Sequence, residues 1–134
     1  MLTPIHYIVH LVLVFVMCWL TLVFVSGDHI FTSYAGFALM ASVAPEQDWG
    51  IFTALVACVG GFGVLFSDWH IKIISAGLLS FGHLVIAGFI FLGKPDGTGT
   101  GAYLGYAILG AALAYTKAFY RSRLAESVEP SDPP

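Results

Sequence analysis

The sequence predicts an all-α integral membrane protein with four transmembrane helices and a short interfacial amphipathic helix after the first span. Hydrophobic residues make up 58% of the chain and charged residues only 10%, whereas a soluble domain carries roughly 25% charged residues. Several apolar runs reach the roughly 20 residues that a membrane-spanning helix needs. The length of 134 residues leaves little beyond these runs, so we expect a single membrane domain over residues 1–121.

The four predicted spans cover residues 5–25, 48–66, 71–92 and 101–120. The first run contains no Asp, Glu, Lys or Arg and is longer than the apolar region of a secretory signal, so we expect it to be retained. Pro45 suits the start of the second span, and Gly93 followed by Pro95 suits the end of the third. Because the turn between the second and third spans is short, these two helices are expected to form an antiparallel hairpin.

Residues 30–43 form an apolar run that is too short to cross the bilayer. Ile30, Tyr34, Phe37 and Ala41 share one stripe at helical spacing, which predicts an amphipathic helix lying in the membrane interface. A re-entrant hairpin is the alternative. The polar, proline-containing residues 122–134 are expected to be a disordered cytoplasmic tail.

The positions of the basic residues predict the orientation of the chain. Four spans place both termini on one side, together with Lys72, Lys117, Arg121 and Arg123, and leave only Lys94 on the other side. The positive-inside rule then puts both termini in the cytoplasm. The formal net charge of -3 and the lack of a basic face argue against a nucleic-acid partner.

Small and polar residues recur at helical spacing in the last two spans, and such seams are typical of close helix contacts or of pore linings. The candidates are Ala76, Ser80, His83 and Ala87 in the third span, and Gly101, Gly105, Ala107, Ala111 and Ala114 in the fourth. Aromatic residues are expected to anchor the bundle at the interfaces: Trp49, Trp69, Tyr103 and Tyr120.

Histidines are the side chains most suited to chemistry in this chain. His6 and His10 are expected at the headgroup level, whereas His83 falls near mid-membrane. His83 is either a neutral group hydrogen-bonded to Ser80 or to a neighbouring hydroxyl, or a residue that lines a pore or responds to pH. Haem ligation by His10 and His83 is disfavoured by a depth offset of roughly 10 Å, and apart from Asp48 at the first position of the second span, no span carries a carboxylate. We therefore predict no cofactor, no metal and no enzymatic activity.

Residues 27–123 resemble small four-span membrane proteins that tailed phages and prophages encode. The matching positions are Gly27-Asp28, Ala44-Pro45-Glu46, Trp49-Gly50, Gly60-Gly61, Gly99-Thr100-Gly101 with Tyr103, and Lys117 with Tyr120-Arg121. Most such proteins have no assigned function, and some are treated as holin-like. The resemblance implies the bacterial inner membrane as the location.

Three functions fit these observations, and the first is preferred. A holin-like protein would form a homo-oligomer through the small-residue seams and permeabilise the lipid bilayer. A superinfection-exclusion protein or similar binding module would instead contact another membrane protein through the outward helix around Tyr34 and Phe37. A structural subunit of a larger membrane assembly is the third possibility.

Overall fold

The computed structural model describes residues 4–27, 30–94 and 98–128, and within these ranges all regular structure is helical. The elements are α1 (Pro4–Val25), α2 (Ile30–Ser33), a 3-10 turn (Ala35–Phe37), α3 (Ala38–Val43), α4 (Glu46–Leu65), α5 (Trp69–Gly93) and α6 (Thr98–Val128). The predicted all-α class is confirmed.

Three of these helices, α1, α4 and α5, are long and apolar enough to cross a membrane, judged by length and composition. They match the predicted spans 5–25, 48–66 and 71–92 to within a few residues. The predicted fourth span, residues 101–120, lies in α6 and is not among them. Its glycines, tyrosines and threonine, together with Lys117, make α6 less apolar than the other long helices.

The ends of the long helices follow local chemistry. Gly27 has a φ of +76° after the end of α1, a conformation that glycine adopts without strain. The Asp68 carboxylate caps α5 by accepting hydrogen bonds from the backbone N–H groups of His70 at 2.8 Å and Ile71 at 3.1 Å. These hydrogen bonds, with Ile71 contributing most, lower the pKa of Asp68 because they stabilise its charged form. The capped turn gives the tight α4–α5 hairpin that the sequence predicts.

The long helices form a bundle in which α1 packs on α4, α4 on α5 and α5 on α6. The contact between α1 and α6 is less extensive. The shared core consists of Leu13, Met17, Leu20 and Phe24 of α1, Val56 and Ala57 of α4, Ala76, Leu79 and Ile86 of α5, and Leu113 of α6. Other large apolar side chains, including Phe15, Trp19 and Leu22, are exposed on the outside, as expected for a surface that faces lipid.

Glycines set the closest approaches between helices. A Cβ atom added at Gly60 would lie 2.8 Å from the side chain of Leu79, and one at Gly110 would lie 2.9 Å from the Cα of Ser80. The Ser80 hydroxyl donates to the Ala107 carbonyl at 2.7 Å across the same α5–α6 contact. The bundle therefore uses backbone proximity and interhelical hydrogen bonds, the two main means of packing helices in membranes.

The single interfacial helix predicted over residues 30–43 is wrong in detail, because the segment is divided into α2, the 3-10 turn and α3. Phe31 and Met40 are its buried side chains, whereas Tyr34 of the predicted stripe is exposed. Phe37 packs its ring against Phe24 and Phe31, so it turns inward. A glycine at position 36 disfavours a continuous helix, and burial of the aromatic rings folds the segment over one end of the bundle.

The start of the predicted disordered tail is also wrong. Residues 122–128 continue α6, whereas residues 129–134 lie outside the described part of the chain. Arg, Leu, Ala and Glu in this stretch are strong helix formers, so the helix extends past the apolar run.

Candidate functional site

A buried lysine–histidine pair joins the first and last helices of the chain. Lys117 Nζ of α6 lies 2.6 Å from His10 Nδ1 of α1. Lys117 is 3% exposed and His10 is 1% exposed. Because an ammonium group can only donate, a protonated Lys117 requires a neutral His10 with its lone pair on Nδ1.

The other two long helices make room for this pair. Ser75 of α5 is fully buried beside it, and its hydroxyl donates to the Lys72 carbonyl at 3.1 Å. Gly63 of α4 lies directly against Ser75, and a Cβ atom at Gly63 would lie 2.8 Å from His10 Cε1. All four long helices therefore contribute to one buried polar cluster, which consists of His10, Gly63, Ser75 and Lys117.

Further positive charge lies close to the polar cluster. The Lys72 ammonium acts on Lys117 by like-charge repulsion and lies 5.4 Å from the centroid of the Trp69 ring. In the described ranges no carboxylate forms an ion pair with Lys117. Buried charges are normally paired, and an ionisable residue inside a membrane bundle is a functional candidate for that reason.

The pair itself was not predicted from the sequence. His10 was expected at the headgroup level and Lys117 among the cytoplasmic cations, but both side chains point into the bundle. One signal for Lys117 was available, because the residue falls inside the predicted span 101–120. A lysine in an apolar helix either extends towards the headgroups or finds a partner, and here it finds His10.

Weaker contacts surround the cluster at the same end of the bundle. The rings of His6 and Tyr120 meet edge to face with centroids 6.4 Å apart. Arg121 Nη1 donates to His70 Nδ1 at 3.1 Å on the exposed surface. These contacts tie the C-terminal part of α6 to α1 and α5.

His83 is fully buried in the middle of α5. Its Nδ1 donates to the Leu79 carbonyl one turn earlier at 2.7 Å, and its ring lies against Tyr106 with centroids 5.4 Å apart. Ser80, the expected partner, instead donates to the Ala107 carbonyl of α6. With Nδ1 protonated, His83 Nε2 carries a lone pair, and it has no hydrogen-bond partner in the described part of the protein.

The structure divides the predicted seam residues into two groups. Ala76, His83, Ala87 and Ala107 are buried, and Ser80 and Ala114 are partly buried. Gly101 and Ala111 are exposed, and Gly105 is partly exposed with no neighbour within 4 Å of an added Cβ atom. The face of α6 that meets α5 includes Tyr106, Gly110 and Leu113, and Gly101 and Gly105 lie on the opposite face.

The predicted aromatic anchors also differ in their surroundings. Trp49 is 8% exposed, and its Nε1 donates to the Met40 carbonyl at 3.1 Å, so it holds α3 against the bundle. Trp69 and Tyr103 are partly buried, and Tyr120 is exposed.

Comparison with known proteins gives no match to a family model, to a curated protein or to a solved structure. Within the described residues, no three His, Cys, Asp or Glu side chains are grouped so that they could hold a metal ion. The resemblance to phage membrane proteins stays a prediction from the sequence, and function has to be argued from the bundle itself.

Proposed function

We propose that the protein is a holin-like, self-associating inner-membrane protein of phage type, which permeabilises the membrane as a homo-oligomer. The observation that carries the proposal is the uncovered glycine pair of α6. No atom of the neighbouring helices lies within 4 Å of the position that a Cβ atom would take at Gly101 or Gly105.

Uncovered glycines matter because of how helices associate in lipid. Small residues allow two backbones to approach closely, and this packing supplies association energy that the hydrophobic effect does not supply in a membrane. Ile108 and Ala112 are exposed on the same side of α6 and extend the surface. We define the outer face of α6 as Gly101, Gly105, Ile108 and Ala112. A second copy of this face is its proposed partner.

Self-association through this face requires α6 to lie in the membrane beside α5. We propose that α6 is the fourth span, because it packs along α5 more extensively than any other two elements pack on each other. Both termini are then cytoplasmic, since Lys72, Lys117, Arg121 and Arg123 lie at the same end of the bundle.

Inducible expression in bacteria with a membrane-potential dye tests the proposal. The wild-type protein should cause abrupt depolarisation, and Gly105→Leu should abolish it and reduce cross-linked oligomers. Gly77→Leu is the matched control, because Gly77 also has no neighbour within 4 Å but lies on α5, away from the outer face of α6. Membrane-inserted wild-type protein that leaves the potential unchanged would contradict the proposal.

A binding module is the second candidate, and the exposure of Tyr34 favours it. Tyr34 is 62% exposed at the end of the bundle, beside a groove of about 310 Å³ that Lys94 and Tyr103 also line. Phe37, the other expected contact residue, is partly buried because its ring packs against Phe24 and Phe31, but it also lines this groove. In this case expression should protect cells from a second phage without depolarisation, and Tyr34→Ala should remove the protection.

A further inference from the structure

We propose that the hydrogen bond between His10 and Lys117 is sensitive to protonation. It holds α1 against α6, and it breaks when His10 takes up a proton. The proposal does not depend on holin-like activity. It rests on where the pair lies, on its buried surroundings and on the number of protons that the contact can hold.

The pair lies at one end of a seam between α1 and α6. At this end the two helices are joined by the contact of His10 with Lys117 and by the ring contact of His6 with Tyr120. Farther along, the helices border a groove of about 540 Å³. Its walls include Phe15, Val16 and Trp19 of α1 and Ala102, Tyr103 and Tyr106 of α6. The α1–α6 contact is less extensive than the contacts of α1 with α4, α4 with α5 and α5 with α6, and it includes the polar pair.

The contact can hold only one positive charge. At 2.6 Å, one nitrogen must offer a lone pair to an N–H group of the other. When His10 and Lys117 are both protonated, all their nitrogen atoms are donors and no lone pair remains. Two like charges would then meet in a buried site, where water screens them poorly.

Among the described side chains, the surrounding helices offer no negative group to balance a second charge. From α5 the pair faces Lys72, which is another cation, and the neutral Ser75. From α4 it faces Gly60 and Gly63, which carry no side chain, and the Gly60 carbonyl offers His10 a neutral acceptor. In the described parts of α1 and α6, His6 and Tyr120 are further titratable groups near this level.

Protonation of His10 therefore breaks the contact. Lys117 lies one turn before the exposed Arg121, so its released ammonium group can extend towards the headgroups. Separation of α1 from α6 at this end would extend the existing groove along the whole seam.

Distances between spin labels on the two helices test this inference in the full chain, reconstituted in lipid nanodiscs. Ile8 of α1 and Phe119 of α6 are exposed and are replaced by labelled cysteines, and the native Cys18 and Cys58 are replaced by serine. Between about pH 7.5 and about pH 3.5, a range that extends well below ordinary histidine titration, the distance should lengthen. An increase of about 2 Å or more is expected, on the scale of known helix shifts. A distance that is the same at both pH values would overturn the proposal.

Substitutions test whether the change in distance depends on the contact between His10 and Lys117. His10→Gln keeps an acceptor for Lys117 but does not titrate, so the short distance should persist at both pH values. His6→Gln, one turn earlier on α1, is the control and should lengthen like the wild type. If His10→Gln does not fold by circular dichroism, Lys117→Gln replaces it, because an amide oxygen can accept from protonated His10. A wild-type lengthening in the folded variant would also overturn the proposal.

Discussion

Gly63 is the position in α4 where the backbone passes closest to the polar cluster. We expect Gly63→Ala to destabilise the bundle, because its methyl group would overlap Ser75 and crowd His10. Overpacking of this kind typically lowers the free energy of unfolding by about 1–3 kcal/mol. Denaturation of the purified protein in detergent measures the change.

Gly61→Ala is the control for this substitution. Gly61 lies two residues earlier in α4 and has no neighbour within 4 Å of an added Cβ atom. The alanine should raise helix stability by roughly 0.5–1 kcal/mol, since glycine is the poorer helix former. Equal destabilisation by both substitutions would show that the close packing at Gly63 is not the cause of the effect.

Single residues were also where the sequence was least informative. The contact of Lys117 with His10 joins positions 107 residues apart, and no periodicity within either helix indicates it. The burial of His83 could be predicted from its place in an apolar helix, but its partner could not. Its Nδ1 bonds to the backbone of its own helix, whereas Ser80 is rotated towards Ala107.

At the scale of elements, the two faces of α6 should respond differently to added bulk. Gly110→Leu should disrupt the α5–α6 contact and the fold, because even a Cβ atom there would lie 2.9 Å from Ser80. Gly101→Leu should leave the fold intact and weaken only self-association. Circular dichroism and cross-linking in mild detergent distinguish the two outcomes. Similar loss of folding in both variants would place Gly101 in an intramolecular contact.

The long apolar helices were predictable because length and composition suffice to identify them. The contact face of α6 was harder to predict, since Gly101 and Gly105 of the predicted seam lie on the outer face, whereas Gly110, which the prediction did not include, meets α5. The segment 30–43 was misread for another reason. The predicted stripe follows helical spacing in the sequence, but Phe31 and Met40, which lie outside that stripe, are the residues buried in the core.

At the scale of the whole molecule, the cations at one end of the bundle predict the topology. A reporter fused after Pro134 should be active only in its cytoplasmic form, whereas a reporter in the connection between the first two spans should be active only in its periplasmic form. A periplasmic C-terminus would overturn the assignment of α6 as a span.

The burial of Lys117 has a consequence for how the chain enters the membrane during synthesis. Lysine at the centre of a helix opposes insertion by about 2.5–3.5 kcal/mol, which is an upper bound for Lys117 near the end of its span, and α6 is already the least apolar long helix. Its partner His10 lies in α1, which leaves the ribosome before α6. The early helix can therefore act as an intramolecular chaperone for the late one. A chain that lacks α1 should insert α4 and α5 but leave α6 accessible to a water-soluble thiol reagent through a cysteine at Ala112. Full protection of that cysteine would show that α6 inserts unaided.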